Sequence, residues 1–161
     1  MHYLIRVVGQ AESQEEAHEN ALDFVDDLIE RREFDYYDLD SQRFEENGFT
    51  HQLVSAMGQL LIQDALKANR EAFDRALYAV RMMLAHYTDE QIYQNDFPDE
   101  LRDYHVSRHE FAVVGGYTHD CYLYGDDTVW GDKIQTDKDY ALAVQDLDPN
   151  ELWVTSLDVH Y

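Results

Sequence analysis

Residues 2–32, HYLIRVVGQAESQEEAHENALDFVDDLIERR, decide the fold class, because they place a β-strand directly before an amphipathic helix. The run HYLIRVVG is apolar and β-branched and ends at a glycine, which predicts a strand. Ser13 and Glu16 form a capping-box pattern at a helix start, and the helix is expected to run to about Arg31 or Arg32. Its apolar residues recur at helical spacing: Ala17, Ala21, Phe24, Val25 and Leu28.

Residues 50–86 have the strongest helical pattern, after an aperiodic stretch at 34–48 that predicts a loop. We favour a helical hairpin that breaks near KANREA, with Asn69 capping the second helix, because one helix of this length far exceeds the usual length. The alternative is one helix of about 55 Å. The first apolar stripe is Leu53, Met57, Leu60 and Leu61, and the second is Phe73, Leu77, Val80 and Leu84.

Residues 109–161 are predicted to be mainly strands, including EFAVVGGY, CYLYGDD and the alternating C-terminal LWVTSLDVHY. The order of strand, helix, helices and then strands predicts one α+β domain over residues 1–161. We expect an antiparallel or mixed sheet with a ferredoxin-like core and helices on one face. In this prediction the domain begins with a strand–helix unit at 2–33, and a helical hairpin is inserted at 50–86.

Length and composition predict a globular protein with its own core. The chain has 161 residues, of which 45% are hydrophobic, and one cysteine, which excludes an intrachain disulfide framework. The N-terminus lacks the basic and apolar regions of a signal peptide. No apolar run approaches the roughly 18–20 residues that span a bilayer. We therefore expect a cytoplasmic protein with no membrane partner.

The acidic charge is the strongest compositional signal, with 34 Asp and Glu against 12 Lys and Arg and a net charge of −22. Residues 1–80 hold 17 acids and 7 bases, and residues 81–161 hold 17 acids and 5 bases, so the charge is spread evenly. An acidic mimic of nucleic acid should concentrate its charge on one stripe. The even spread favours adaptation to molar salt, where the Debye length falls to about 3 Å at 1 M. Such a chain is expected to avoid nucleic acid.

One segment, residues 105–121, has the residue types of a metal site. His105 and His109 are four residues apart, and His119 and Cys121 are two apart, so a His3Cys zinc site is one hypothesis. The second pair departs from the usual ligand spacing, and surface histidines beside a buried cysteine are the favoured alternative. A Cys121 nucleophile lacks the cationic surroundings that stabilise a thiolate. We therefore expect no bound cofactor.

Two acidic stretches resemble calcium loops in composition. DLDPNE from Asp146 and DLDSQR from Asp38 lack the glycine and the final glutamate of an EF-hand. The stretch GDDTVWGDKIQTDKD at 125–139 carries five acids, and two interpretations stay open for it. It is either a solvated acidic loop or a loose binding site for a cation.

Val114, Gly115 and Gly116 follow a predicted strand, and the chain begins with a strand and an acidic helix. In these features it resembles small phage-encoded proteins with a Val-Gly-Gly-Arg-Trp core. Tyr117 and Thr118 replace the Arg-Trp pair here. The resemblance covers a dozen residues and an order of elements, and it implies no activity.

These features together predict an accessory protein of a halophile or its virus that binds another protein, rather than an enzyme. The alternatives are a small zinc protein and an acidic inhibitor that mimics nucleic acid. A homodimer is also expected through the C-terminal strand. One of its faces turns polar at Ser156, Asp158 and His160, and a strand at a sheet edge invites pairing.

Overall fold

The computed structural model describes residues 2–38, 50–94, 96 and 121–160. Together these residues form six strands and four helices. In chain order they are β1 (His2–Gln10), α1 (Gln14–Glu30), β2 (Tyr36–Asp38), β3 (Thr50–Gln52), α2 (Ala56–His86), α3 (Asp89–Tyr93), β4 (Leu123–Gly125), β5 (Asp132–Lys133), α4 (Asp137–Val144) and β6 (Leu152–His160).

Contacts divide the chain into two compact units. The first comprises Met1–Ala68 and Cys121–Tyr161, and the second comprises Asn69–Asp120. In the second unit, Ala79, Val80 and Met83 of α2 form a small core that Tyr87 and Ile92 cover in part. Whether residues 1–161 behave as one domain stays a prediction.

Helix α1 begins and ends where its sequence indicates. The Ser13 side chain accepts a hydrogen bond from the Glu16 backbone N–H at 3.2 Å, and the Glu16 carboxylate accepts one from the Glu12 N–H at 2.8 Å. Arg31 caps the other end, and Arg32 has a φ of 62°, which turns the chain. The predicted apolar residues are all buried. The Ser13 cap and the amphipathic pattern therefore specify this helix.

The strands form one mixed sheet in the order β2-β6-β1-β4-β5, with β3 also paired to β6. Strand β1 pairs parallel with β4 and antiparallel with β6. The α+β prediction with a mixed sheet is confirmed. A ferredoxin-like core is not confirmed. The sheet does contain a split β-α-β unit, in which β6 lies antiparallel between β1 and β2, but a ferredoxin-like core has no directly adjacent parallel strands. Here β4 lies directly beside β1.

Helices lie on both faces of the sheet, so the prediction of helices on one face is wrong. Side chains alternate along each strand, and the two faces of β1, β4 and β6 therefore enter different cores. One core joins the sheet to α1 through Ile5, Val7, Phe24, Val25, Leu28, Tyr124, Leu157 and Val159. The other joins it to α2 and α4 through Val8, Ile62, Ala65, Leu123, Ala143, Leu152 and Val154.

The predicted helical hairpin is also wrong, because α2 is one continuous helix of 31 residues. Its buried residues alternate at spacings of three and four through the expected break: Ile62, Ala65, Asn69, Ala72, Ala76, Ala79 and Met83. Asn69 is fully buried within this stripe and does not cap a new helix. An uninterrupted stripe of buried residues indicates one continuous helix, even though this helix is longer than average.

Strand β6 lies inside the sheet, with β1 on one side and β2 and β3 on the other. Neighbouring strands therefore cover both edges of this strand, which was expected to leave an edge unless another strand covered it. Its polar face is covered as well, since Ser156 is 2% exposed and Asp158 is 3% exposed. The two features that motivated a homodimer through this strand are thus absent from the described sheet, and self-association stays a prediction.

Among the described residues, no helix is both long and apolar enough to cross a membrane.

Candidate functional site

A cavity of about 260 Å³ lies beside the carboxyl ends of the two parallel strands, β1 and β4. In open α/β sheets, ligands bind at the carboxyl ends of parallel strands. Its lining comes from α1 and from the loop that follows β4: Asn20, Asp23, Phe24, Asp27, Asp126, Asp127 and Thr128. We call this space the edge cavity. Four of the seven lining residues are aspartates.

The backbone fixes Asp126 at the point where β4 ends. Its N–H donates to the Val8 carbonyl of β1 at 2.9 Å, which continues the parallel pairing by one residue. Its carbonyl accepts from the N–H groups of Val129, Trp130 and Gly131 at 2.8–3.0 Å. Gly131 has a φ of +70°, a conformation that glycine adopts without strain. The loop therefore holds Asp126 rigidly at the cavity.

The Asp126 carboxylate is held by one of its oxygens. Oδ1 accepts from the Thr128 N–H at 2.9 Å and from the Thr128 hydroxyl at 2.5 Å. Thr128 is itself anchored, because its hydroxyl accepts from the Gln10 N–H at 2.8 Å. Oδ2 is buried and has no hydrogen-bond partner. One oxygen of the carboxylate thus accepts two hydrogen bonds, and the other accepts none.

Gly9 of β1 provides the space for the bare oxygen. A Cβ atom at this position would collide with Asp126 Oδ2. Gly9 therefore permits the close approach of the carboxylate to the strand backbone.

Burial raises the pKa of the Asp126 carboxyl, since Asp126 is 3% exposed. The hydrogen bonds from Thr128 and Val129 act in the opposite direction, and the charge of Asp127 adds to the rise. The charged form of Asp126 is therefore held at a cost in stability, because a buried polar atom without a partner typically costs about 1–3 kcal/mol. The site lacks a compensating positive charge among its lining residues.

The α1 side of the edge cavity follows from helical spacing. Asn20, Asp23, Phe24 and Asp27 lie three, four and seven residues apart, so they share one side of the helix. Asp23 and Asp27 are exposed, whereas Phe24 is 4% exposed and also belongs to the core. The cavity thus has an acidic rim and one apolar wall.

A family model described as a domain of unknown function, DUF7995, matches residues 1–161. The chain belongs to this family. No curated protein and no solved structure matches it.

In this DUF7995 chain the predicted metal ligands fall into two groups. His105, His109 and His119 lie outside the described residues, so the zinc hypothesis stays a prediction. Cys121 is 6% exposed and packs in the α1 core. Its Sγ donates to the Leu123 carbonyl at 3.0 Å, and burial raises the pKa of the thiol to about 12. Within residues 2–38, 50–94, 96 and 121–160, no group of three or more His, Cys, Asp or Glu side chains is placed to hold a metal ion.

In this DUF7995 chain, further polar side chains lie on the face of the sheet opposite to α1. Burial lowers the pKa of Arg6 to about 10, and Asp64 of α2 partly offsets this effect. At the end of the sheet, His2 Nδ1 lies 3.2 Å from Asp158 Oδ1, and the His160 ring stacks on Tyr36. These contacts cover the polar end of β6.

The sequence indicated part of the edge cavity. Residues 125–139 were identified as a solvated acidic loop or a loose cation site, and Asp126 and Asp127 belong to that stretch. Asp23 and Asp27 lie at three- and four-residue spacings from other acids of α1, so like charges adjoin on one face of that helix. Nothing in their spacing places the two groups together, because they meet through the β1–β4 pairing.

Proposed function

We propose that this protein is a salt-adapted binding protein that acts through contact with a partner protein, with the edge cavity as its binding site. The observation that carries the proposal is the cavity itself, where four aspartates, including the buried Asp126, meet at the carboxyl ends of β1 and β4. Like charges that meet at one place repel one another, so this arrangement calls for a physical explanation. A bound group supplies one.

The distribution of charge supports the salt-adapted part of this proposal. Asp23, Asp26, Asp27 and Glu30 are all exposed on α1, and they adjoin one another at three- and four-residue spacings. Such pairs destabilise a helix by about 0.2–0.5 kcal/mol each in dilute buffer. Molar salt screens this repulsion. An accessory role in the cytoplasm of a halophile, or in one of its viruses, is part of the same proposal.

The chemistry of the cavity favours binding over catalysis. The Thr128 hydroxyl donates to Asp126 and accepts from the Gln10 N–H, so it is occupied as a positioning group. The Cys121 thiol lies in the core with a pKa of about 12 and remains protonated near neutral pH. An activated nucleophile needs an adjacent base or a lowered pKa. The described lining has acceptors for a ligand and no such pair.

Nuclear magnetic resonance tests whether the edge cavity binds at all. The backbone amides of Gln10 and of residues 126–131 surround the Asp126 carboxylate and report on its occupancy. The protein in 2 M KCl is titrated separately with ethylguanidinium, acetate and glucose, which are cationic, anionic and neutral. We expect saturable shifts of these amides with at least one probe, while the amides of α4 stay unchanged. If no probe shifts them, the proposed binding site is wrong.

A further inference from the structure

We propose that an exposed ridge of α2 docks on the acidic outer side of α1 in a second copy of this chain. The ridge consists of Arg75, Tyr78, Arg81 and Leu84, and we call it the α2 ridge. None of these residues lines the edge cavity, so the inference goes beyond the proposed binding site. It follows from the exposure of the ridge, from its charge and from the composition of α1.

The α2 ridge is a row of exposed side chains at three-residue spacing. Residues three apart are neighbours on a helix surface, so the four side chains form one continuous ridge. Tyr78 and Leu84 are each 63% exposed, and Arg75 and Arg81 are exposed beside them. Arginine and large apolar side chains thus alternate along the outside of the helix. The buried residues of the same part of α2 are Ala72, Ala76, Ala79, Val80 and Met83.

The charge of this part of α2 is opposite to that of the chain as a whole. Residues 65–86 carry 4 Lys and Arg against 2 Asp and Glu, whereas the rest of the sequence carries 8 against 32. A third of all the basic residues therefore lie on one part of one helix. Adaptation to salt accounts for acids on a surface but not for a basic helix. A surface of this sign attracts a negatively charged partner.

The two arginines of the α2 ridge are available to such a partner. On the same helix, Arg70 already pairs with Asp74 at 3.0 Å. Within the part of the chain that the structure describes, neither Arg75 nor Arg81 takes part in an ion pair or a hydrogen bond. Tyrosine and arginine are enriched in protein interfaces and among the residues that carry most of the binding energy. The ridge therefore has the composition of a surface that docks on a protein.

Helix α1 of a second copy has the complementary charge. Its residues Gln14–Glu30 include no Lys or Arg, and four of its exposed acids are Glu15, Glu19, Asp26 and Glu30. These acids recur at spacings of four and seven residues, so they share one side of the helix, and none of them lines the edge cavity. They span about 22 Å of helix, against about 14 Å for the α2 ridge. One α1 helix is therefore long enough to pair with both arginines of the ridge.

Molar salt favours this contact over one with nucleic acid. Two chains at −22 repel each other in dilute buffer, as do such a chain and a phosphate backbone. At 1 M salt the Debye length is about 3 Å, so distant like charges interact little. Direct guanidinium–carboxylate pairs and the burial of Tyr78 and Leu84 then remain to hold the two copies together. Binding to nucleic acid instead weakens as the salt concentration rises, because it depends on counterion release.

Sedimentation equilibrium of the full chain in 2 M KCl, from micromolar to millimolar concentration, measures the association. We expect the average mass to rise above that of the monomer as the concentration increases. Tyr78→Ala, and the double variant Arg75→Gln with Arg81→Gln, should each weaken the association by about 10-fold or more. A chain that stays monomeric over the whole range would overturn the inference.

A matched control makes the same change of charge away from the α2 ridge. Arg31→Gln with Lys138→Gln also removes two exposed bases, and neither lies on α2. Its effect on the association should stay below about 2-fold. All of the substituted side chains are exposed, so circular dichroism should show an unchanged fold. Equal weakening by the two double variants would show a general effect of charge and would overturn the inference.

An exchange of charges tests whether α1 is the surface that the ridge contacts. One variant carries Arg75→Glu with Arg81→Glu, and the other carries Glu19→Arg with Glu30→Arg. Alone, each variant brings like charges together across the contact and should be monomeric. Mixed in equal amounts, the two variants restore opposite charges and should associate as the natural chain does. A mixture that stays monomeric would overturn the inference.

A short DNA duplex tests the alternative partner. Binding of the duplex at 0.2 M KCl that is lost in Arg75→Gln with Arg81→Gln, in a chain that does not self-associate, would replace the second copy with nucleic acid. Self-association that survives every α2 variant would place the interface elsewhere. Either result overturns this inference and leaves the edge cavity to its separate test, because the α2 ridge does not line that cavity.

Discussion

Between 0.1 M and 3 M KCl, the free energy of unfolding is expected to rise by more than about 2 kcal/mol. The four like-charge pairs among Asp23, Asp26, Asp27 and Glu30 account for about 1–2 kcal/mol of helix repulsion in dilute buffer. The remaining charge of a chain at −22 adds self-repulsion in the compact state. Chemical unfolding followed by circular dichroism at several KCl concentrations measures the change. A free energy that stays constant or falls would contradict the salt-adapted proposal.

A double variant separates charge repulsion from a general effect of salt. Glu19→Gln with Glu30→Gln removes two exposed acids of α1 and keeps the length and polarity of both side chains. We expect this variant to be more stable than the natural chain at 0.1 M KCl, and equally stable at 3 M KCl where repulsion is screened. An equal difference at both concentrations would show that screening is not the cause.

Val154→Asp is expected to lower the free energy of unfolding by more than about 4 kcal/mol, which will unfold much of the protein at 25 °C. Val154 is 0% exposed and lies opposite Val8 of β1 and His51 of β3. The substitution buries a carboxylate in an apolar core, where a lone charge is strongly disfavoured. Urea unfolding in 2 M KCl measures the loss.

Val54 provides the matched control for this prediction. It is 43% exposed just before α2, so Val54→Asp should change the free energy of unfolding by less than about 1 kcal/mol. Comparable stability of the two aspartate variants would contradict the interior position of β6. Loss of a dimer in Val154→Asp would report unfolding, and this variant is therefore unsuitable as a probe of self-association.

Local patterns in the sequence predicted β1, α1 and β6, because each element carries its own periodicity. Leu157 and Val159 lie on the more apolar face of β6, and both enter the α1 core. The interpretation of the opposite face as a polar, open face is wrong, because Ser156 and Asp158 are buried. Polar residues at alternate positions of a strand therefore do not by themselves show that its face is open to solvent.

The helix of residues 56–86 shows how a general expectation can mislead. The typical helix length favoured two helices, and Asn69 is a residue type that often caps helices. The spacing of Ile62, Ala65, Asn69 and Ala72 continues without interruption, and this regularity was the better guide. Buried alanines contribute little to a hydrophobic pattern, which is why the stripe is inconspicuous in the sequence.

The sequence shows the acids of the edge cavity but not that they lie together. The acids of residues 125–139 suggested either a solvated loop or a loose cation site. Their meeting with the acids of α1 depends on the parallel pairing of Val8 with Gly125, more than a hundred residues apart in the chain. Spacing within a segment does not encode such a contact. The role of Gly9 becomes evident only beside Asp126.

The central claim is that Asp126 is kept at the edge cavity for binding, at a cost in stability. Its raised pKa means that the folded protein binds this proton more tightly than the unfolded chain. The protonated residue therefore stabilises the fold at low pH, and this contribution is lost as the pH rises through the raised pKa. Asp126→Asn keeps an acceptor for Thr128 and removes the buried charge.

The most direct measurement is the free energy of unfolding of Asp126→Asn and of the natural chain in 2 M KCl, from pH 3 to pH 7, without ligand. We predict that the variant is more stable by about 1 kcal/mol at pH 7, and that the difference shrinks towards pH 3 as Asp126 becomes protonated. A variant that is less stable than the natural chain at pH 7 would show that the charged carboxylate stabilises the fold, and would contradict the account.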